Sequence, residues 1–143
     1  MRNFAYPVKL HSAKDGITAQ FPDLPEAITS GKNRADALSQ ASDCLEEAIA
    51  ARITDGLEIP EPSAPKARQP LVTLPAPMAA KAALYFAIKE TGISNAKLAR
   101  RLGYDEREIR RMLDPRHPTR LARIQHVPEP LGKRLLISMD DAA

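Results

Sequence analysis

Several residue types that build large hydrophobic cores are rare or absent in this chain. It has no tryptophan, aromatic residues make up 4% of its 143 residues, and Cys44 is its one cysteine. Any hydrophobic core must therefore be small and mostly aliphatic. Cys44 has no partner for an internal disulfide, and we expect it to pack as a small side chain within a helix.

Long apolar runs are also missing. No stretch approaches the roughly 18 apolar residues that a membrane-spanning helix needs. The N-terminal residues MRNFAYPVKL do not contain the apolar run that is typical of a signal peptide. We therefore expect a cytoplasmic protein with no membrane partner.

Charge is abundant and unevenly distributed along the chain. Residues 1–63 contain 6 Lys and Arg against 10 Asp and Glu, which gives a net charge of −4. Residues 64–143 contain 15 against 8, a net charge of +7. An acidic first half and a basic second half indicate two functions, and the basic half predicts an anionic partner such as nucleic acid.

The first 56 residues have the pattern of a small α+β unit. Apolar residues alternate over residues 4–10 and 17–21 with an Asp-Gly turn between them, which predicts two antiparallel strands. A short third strand is expected over residues 27–30. Asn33 should then cap a helix that ends at Gly56. The apolar stripe of this helix consists of Leu38, Ala41, Leu45, Ala48, Ile49 and Ile53. One helix packed on a small antiparallel sheet is an α+β fold.

Prolines mark the interruptions of this unit. Pro7 lacks a backbone donor, so the first strand should have a free edge or a bulge there. Four of the 13 prolines lie in residues 60–70, which predicts a semi-rigid extended connection. The apolar residues 71–74 are expected to return as a fourth strand on the first sheet. We therefore place the domains at residues 1–75 and 76–143.

The second domain is predicted to be all α, apart from its C-terminal end. Strong helix formers fill residues 78–91, and Leu84 and Ile88, with Tyr85 as a further candidate, should face the helices that follow. A short helix is expected around residues 121–125.

The C-terminal residues break the helical pattern. Pro128 and Pro130 should interrupt any helix there. Alternating apolar residues over 135–139 are compatible with a terminal strand that pairs with another strand.

Residues 94–114, SNAKLARRLGYDEREIRRMLD, have the pattern of two short helices joined by a tight turn. Ser94 is a suitable N-cap for the first helix. Gly103 stands where that helix must end and where the backbone needs a positive φ. Asp105 with Glu108 gives a start signal for the second helix that is close to a capping box.

This spacing resembles the helix-turn-helix of repressor proteins. The small residue Ala99 allows the two helices to approach each other, Gly103 makes the turn, and Ile109 fills the angle between the helices. The outer face of the second helix carries Glu106, Arg107, Arg110 and Arg111. An ordinary helical hairpin with a solvated basic face is the alternative reading of the same residues.

The first 63 residues resemble the HicB antitoxin family. The matching segments are Tyr6, Phe21 to Pro25, Thr29 to Gly31, Ala35 with Ala37 and Leu38, and Ile59 to Ser63. The second half looks like the helix-turn-helix tail that many of these antitoxins carry. Its matching segments are residues 81–84, 91–94, 98–103, 113–117 and 131–135. The chain departs from the family pattern at residues 125–130, where two prolines replace a continuing apolar helix.

The resemblance implies a fold, an activity and partners. The first domain would be a partial ribonuclease-H-like sheet and helix without nuclease function, which binds and silences a HicA-like mRNA interferase. The second domain would bind operator DNA, so that the protein represses its own operon. Family members form dimers or tetramers, which makes self-association a further expectation.

Candidate contact residues follow from these expectations. We expect Glu106, Arg107, Arg110 and Arg111 to face the major groove, since arginine can donate two hydrogen bonds to guanine. Phosphate contacts are expected from Asn95, Arg116 and Arg120. For a basic RNA-cleaving toxin, acidic contacts are expected from Asp23, Glu26, Asp43 and Glu47. The simpler reading of each charge is a solvated surface side chain.

Catalysis is not expected, although a ribonuclease-H-like fold raises the question. Such active sites gather several carboxylates around two divalent metals, whereas the first strand here contains no acid and the remaining acids lie in a turn, a loop and a helix. His11, His117 and His126 do not have metal-ligand spacing. We therefore predict no enzyme activity, no metal and no cofactor. Two alternatives are a dimeric DNA-binding transcriptional regulator with a ligand-sensing or dimerisation N-terminal domain, and a metal-dependent nuclease.

Overall fold

The computed structural model of the chain describes residues 1–141 and has a mixed α+β fold. The chain divides into two compact units. The first contains Met1–Arg52 and Pro60–Pro75, and the second contains Ile53–Ile59 and the chain from Ala76 onward. Among the described residues, no helix is both long and apolar enough to cross a membrane.

The first unit contains five strands and one helix. Their bounds are β1 (Ala5–Pro7), β2 (Lys9–Ala13), β3 (Gly16–Phe21), β4 (Leu24–Gly31), α1 (Arg34–Thr54) and β5 (Leu71–Thr73). Strands β2, β3 and β4 form an antiparallel sheet in that order, and β1 pairs with β5 in a separate antiparallel ladder. The last residues of α1, from Ile53, are grouped with the second unit.

The strand predicted over residues 4–10 is wrong in its continuity. The structure divides it at Val8, whose N–H donates to the Pro70 carbonyl at 3.0 Å. On the two sides of this division the partners differ: β1 pairs with β5, whereas β2 pairs with β3. Residues 71–74 do return as a strand, Leu71–Thr73, but it joins β1 and not the three-stranded sheet. Alternation predicted extended backbone correctly but could not tell which strand would be the partner.

Helix α1 begins as its sequence predicted. The Asn33 side chain accepts from the Asp36 N–H at 2.9 Å, and the Asp36 carboxylate accepts from the Lys32 N–H at 2.8 Å. These bonds satisfy donors at the helix start that have no partner within the helix. The helix buries one face, which consists of Ala37, Ala41, Leu45, Ala48, Ile49 and Ile53. The buried strand residues of the unit are Tyr6, Pro7, Ala19, Phe21, Leu24, Ala27 and Val72.

The second unit is helical. Its elements are α2 (Ala76–Thr91), α3 (Asn95–Leu102), α4 (Glu106–Leu113), α5 (Leu121–Ile124) and a 3₁₀ turn (Glu129–Leu131). One buried cluster joins them, formed by Ala80, Leu84, Leu98, Ala99, Ile109, Met112, Ile124 and Val127. Ile88 packs against this cluster as expected. Tyr85 instead donates through its hydroxyl to the Leu57 carbonyl at 2.7 Å.

The C-terminal residues follow only part of the prediction. Helix α5 ends at Ile124, and the prolines at 128 and 130 lie in turns, so no long helix continues there. The terminal strand expected over residues 135–139 is wrong, because residues 133–141 have no regular secondary structure. Leu136, Ile137 and Met139 are largely exposed. An alternating apolar segment becomes a strand only when a neighbouring backbone supplies hydrogen-bond partners.

Candidate functional site

The turn between α3 and α4 is built as its residues predicted. The Ser94 hydroxyl accepts from the Lys97 N–H at 3.1 Å and caps α3. Gly103 ends α3 with φ 69° and ψ 29°, which is the left-handed conformation that glycine adopts without a Cβ penalty. The Asp105 side chain then accepts from the Arg107 N–H at 3.0 Å and caps α4. The two helices are therefore separate, short and held at defined ends.

Small and branched side chains pack beneath this turn. Leu98 and Ile109 are fully buried, and Ala99 and Met112 are 3% exposed. The Ala99 carbonyl accepts from the Tyr104 N–H at 2.9 Å, which ties the turn to α3. Burial of α3 and α4 on one side leaves the other side of α4 exposed to solvent.

The outer face of α4 is polar and mainly basic. Glu106, Arg107, Arg110 and Arg111 are all exposed. Arg107 and Arg111 stand four positions apart, which puts them on the same side of the helix. The Arg110 guanidinium lies 3.8 Å from the Glu106 carboxylate, so Glu106 is placed to orient Arg110. The structure therefore gathers these four predicted residues on one helix face.

The remaining DNA-binding candidates, one asparagine and two arginines, lie near the two ends of this helix pair. Asn95 is partly buried at the first position of α3. Arg116 and Arg120 are exposed in the segment between α4 and α5. The Asp114 carboxylate accepts from the Arg116 N–H at 3.0 Å, and the Asp114 carbonyl accepts from the His117 N–H at 3.1 Å. The start of this segment is therefore an ordered turn that contains Arg116, and Arg120 directly precedes α5.

The sequence pattern did not predict the contacts of two further residues of this unit, Lys81 and Arg123. Lys81 on α2 is 3% exposed, and its ammonium group donates to the Arg111 and Met112 carbonyls and to the Thr119 hydroxyl. Its neighbours three and four positions on, Leu84 and Tyr85, are large and buried side chains, which is the signal that this lysine lies on a packed helix face. Burial lowers the pKa of Lys81, and the Asp114 carboxylate opposes that change.

Arg123 was the other residue that the sequence did not reveal. Its guanidinium pairs with the Glu108 carboxylate and lies over the Tyr104 ring, 4.9 Å from the ring centroid. Glu108 thus contacts Arg123, and the reciprocal half of the predicted capping box at Asp105 is replaced by this ion pair. Nothing in the local spacing specified α5 as the partner of α4.

Two of the acidic candidates in the first unit have contacts within that unit. The Asp23 carboxylate accepts from the Ser63 N–H at 2.9 Å and from the Ser63 hydroxyl at 3.1 Å. Glu26 accepts two hydrogen bonds from the Arg52 guanidinium, at 2.6 and 3.1 Å. The Arg52 hydrogen bonds lower the pKa of Glu26. Both carboxylates therefore help to hold the fold in addition to any contact with a partner.

The other two acidic candidates both lie on α1. Asp43 and Glu47 are exposed and lie one turn apart on α1. Glu26 lies close to the same helix, because its carboxylate accepts hydrogen bonds from Arg52 of α1. Among residues 1–141, no group of three or more His, Cys, Asp and Glu side chains is arranged to hold a metal ion.

Comparison with known proteins identifies the family. The family model for the HicB-like antitoxin of bacterial toxin–antitoxin systems matches residues 5–83. Antitoxin HicB 2 of Photorhabdus laumondii is 40% identical over 134 residues, which cover 94% of this chain and 95% of the relative. Antitoxin HicB of Escherichia coli K12 is 34% identical and covers 94% of this chain and 98% of the relative. Antitoxin HicB of Pseudomonas fluorescens is 31% identical, with 97% and 96% covered. The chain belongs to the HicB-like antitoxin family and is the antitoxin of a toxin–antitoxin system.

Proposed function

We propose that this antitoxin inhibits a HicA-like mRNA interferase and represses transcription of its own operon. Residues 1–75 would be the toxin-binding domain, a partial ribonuclease-H-like sheet and helix. Residues 76–143 would be a helix-turn-helix DNA-binding domain. The observation that carries the DNA-binding half is the pair α3 and α4, joined at a left-handed Gly103 and carrying an exposed arginine face.

The geometry of this pair suits major-groove binding. In a helix-turn-helix, the second helix enters the groove and its N-terminal residues contact the base edges. Here α4 is the second helix, and Glu106 and Arg107 form its first turn, with Arg111 one turn further on. Asn95, Arg116 and Arg120 would contact phosphates, which position the protein but carry no sequence information. Glu106 would orient Arg110 through their 3.8 Å contact.

Replacement of Arg111 by alanine tests the proposed base contact. Operator affinity should fall by roughly 1–3 kcal/mol, with relaxed sequence preference, because a side chain that reads a base loses its contact. Binding is measured by titrating the DNA upstream of the gene in an electrophoretic mobility or anisotropy assay. Arg34→Ala, which removes an exposed arginine from α1, is the control for lost charge. Equal affinities of Arg111→Ala and the wild type would remove Arg111 from the interface.

DNA binding of this kind requires more than one copy of the chain. A single helix pair contacts too few bases to be selective, and two-fold dimers that read paired half-sites are the usual solution. We therefore propose a dimer or tetramer, which sedimentation velocity can measure directly. Binding should weaken steeply with salt, since each neutralised phosphate releases counterions. A salt-independent affinity would contradict phosphate contact by Arg116 and Arg120.

The acidic face of α1 is the proposed contact for the toxin. A ribonuclease that grips RNA must be positively charged, and complementary charge steers its association with an acidic partner. Asp43 and Glu47 are suited to test this contact, because they are exposed and are not among the carboxylates with hydrogen bonds to the rest of the first unit. Asp23, in the turn before β4, and Glu26, in β4, would make further contacts with the toxin. Inhibition would occur by covering the toxin, without chemistry at the antitoxin.

Charge reversal in the full chain tests the toxin contact. The double variant Asp43→Lys with Glu47→Lys should bind the toxin encoded beside the antitoxin gene more weakly and should fail to block RNA cleavage by that toxin. The control is Asp15→Lys with Asp55→Lys, which changes the net charge equally at two other exposed acids. If the α1 variant and the control bind the toxin as tightly as the wild type, the toxin contact lies elsewhere.

A further inference from the structure

Lys81 occupies an unusual place in the second unit. It lies in α2 and is 3% exposed, although lysine is almost never buried without partners. Three acceptors surround its ammonium nitrogen: the Arg111 carbonyl at 3.1 Å, the Met112 carbonyl at 3.0 Å and the Thr119 hydroxyl at 2.8 Å. An ammonium group has three N–H donors. Every donor of Lys81 can therefore be used by a specific protein acceptor.

Two of these acceptors belong to the end of α4. The last carbonyls of a helix have no partner within the helix and carry the negative end of its dipole. The Arg111 carbonyl also accepts from the Asp114 N–H at 3.2 Å, and the Lys81 cation donates to both carbonyls and compensates the negative end of the dipole. The Arg111 and Met112 carbonyls also stand next to the exposed Arg110 and Arg111 side chains. Lys81 therefore holds the backbone from which the basic face of α4 projects.

The third acceptor belongs to the segment that follows α4. The Thr119 hydroxyl accepts from Lys81 and donates to the His117 carbonyl at 3.4 Å. Residue 119 lies between Arg116 and Arg120, the two guanidinium groups of this segment. One ammonium group thus connects the end of α4 to the segment between α4 and α5 that contains both arginines.

We propose that Lys81 is a positioning residue for DNA binding: it sets the spacing between the α4 side chains that face the bases and the Arg116 and Arg120 side chains that face the phosphates. The proposal rests on the proposed DNA-binding function. Lys81 is buried and would act only through these two groups of residues. Its loss should therefore weaken binding even though it does not touch the DNA.

Thr119→Val tests this role with little change of shape. Valine keeps the branched side chain but removes the acceptor for Lys81, while the two α4 carbonyls remain. The Arg116 and His117 amides, both hydrogen-bonded to Asp114, should exchange with solvent at least about tenfold faster, because local opening becomes easier. Affinity for the upstream DNA should fall about fivefold or more, and the slope of log affinity against log salt should decrease by about one.

Two further variants complete the test. Lys81→Met removes all three hydrogen bonds and should give the same changes together with lower thermal stability. Lys89→Met makes the same substitution on the same helix at an exposed position, and it should leave exchange at residues 116–117 and the salt slope unchanged. If Lys81→Met does not fold, Thr119→Val alone decides the matter.

Amide exchange and DNA binding together separate the positioning role of Lys81 from the proposed DNA-binding function. Wild-type amide exchange in Thr119→Val overturns the positioning role, whether or not the protein binds DNA. Faster exchange with an unchanged affinity and salt slope also overturns it. Failure of the wild-type protein to bind the upstream DNA refutes the DNA-binding function itself, and the role of Lys81 in DNA binding falls with it.

Discussion

Gly31 at the end of β4 should be costly to replace, because its Cβ position is occupied by backbone atoms. A Cβ atom there would lie 2.6 Å from the Ala37 Cα and 2.7 Å from the Asp36 carbonyl carbon, and closer still to the Ala37 nitrogen. These are backbone atoms of the first turn of α1. That turn is held by the hydrogen bonds between Asn33 and Asp36 and between Asp36 and Lys32. It cannot move away without losing them.

The cost of Gly31→Ala follows from this crowding. Overpacking of a tight site typically costs 1–3 kcal/mol, and we expect about 2 kcal/mol or more because the obstacle is backbone. Gly103→Ala is the matched comparison, since nothing lies within 4 Å of a Cβ at Gly103. Its cost should be about 1–2 kcal/mol and should come from the positive φ alone.

Asparagine substitutions distinguish crowding by backbone atoms at Gly31 from the cost of a positive φ at Gly103. It tolerates the left-handed conformation, so Gly103→Asn should recover most of the stability that Gly103→Ala loses, whereas Gly31→Asn should be no better than Gly31→Ala. Stability is measured by urea unfolding followed by circular dichroism, with amide exchange to assign each loss to a unit. A Gly31→Ala variant within about 0.5 kcal/mol of the wild type would refute the reasoning.

Two ionisable groups of the first unit give further predictions. Burial raises the pKa of Tyr6 from 10.0 to about 12, so the stability that its neutral form contributes should be complete below pH 10 and lost as the pH rises towards 12. Tyr6→Phe should cost about 0.5–1.5 kcal/mol in urea unfolding, since the hydroxyl donates to the Pro60 carbonyl at 2.7 Å; an unchanged midpoint would contradict this. Arg52 lowers the pKa of Glu26, so the contribution of the ionised carboxylate to the free energy of unfolding should be present above pH 4.5 and lost at lower pH. This contribution should stay below about 1 kcal/mol, because the Arg52–Glu26 pair is partly exposed. The free energy of unfolding of Glu26→Gln should therefore fall less than that of the wild type between pH 6 and pH 3. If the two proteins lose stability in parallel, the Arg52–Glu26 pair does not contribute to the loss of stability in acid.

Local signals in the sequence specified most of the elements. Ser94 and Gly103 determine where α3 begins and ends, and Asp105 determines where α4 begins, because a cap or a left-handed glycine acts on the backbone within a few residues of itself. Asn33 starts α1 for the same reason. The resemblance to the HicB-like family was also readable from short segments, and the comparisons confirm it.

Tertiary structure decided the contacts between residues that are distant in the chain. Lys81 reaches Thr119 across 38 positions, Asp23 reaches Ser63 across 40, and the Val8 N–H donates to the Pro70 carbonyl between β1 and β2. Helical or alternating periodicity describes which face of an element is apolar but not which element will cover it. For the same reason residues 135–139 alternate without forming a strand in the single chain, since no other segment within residues 1–141 supplies the backbone partner that pairing requires.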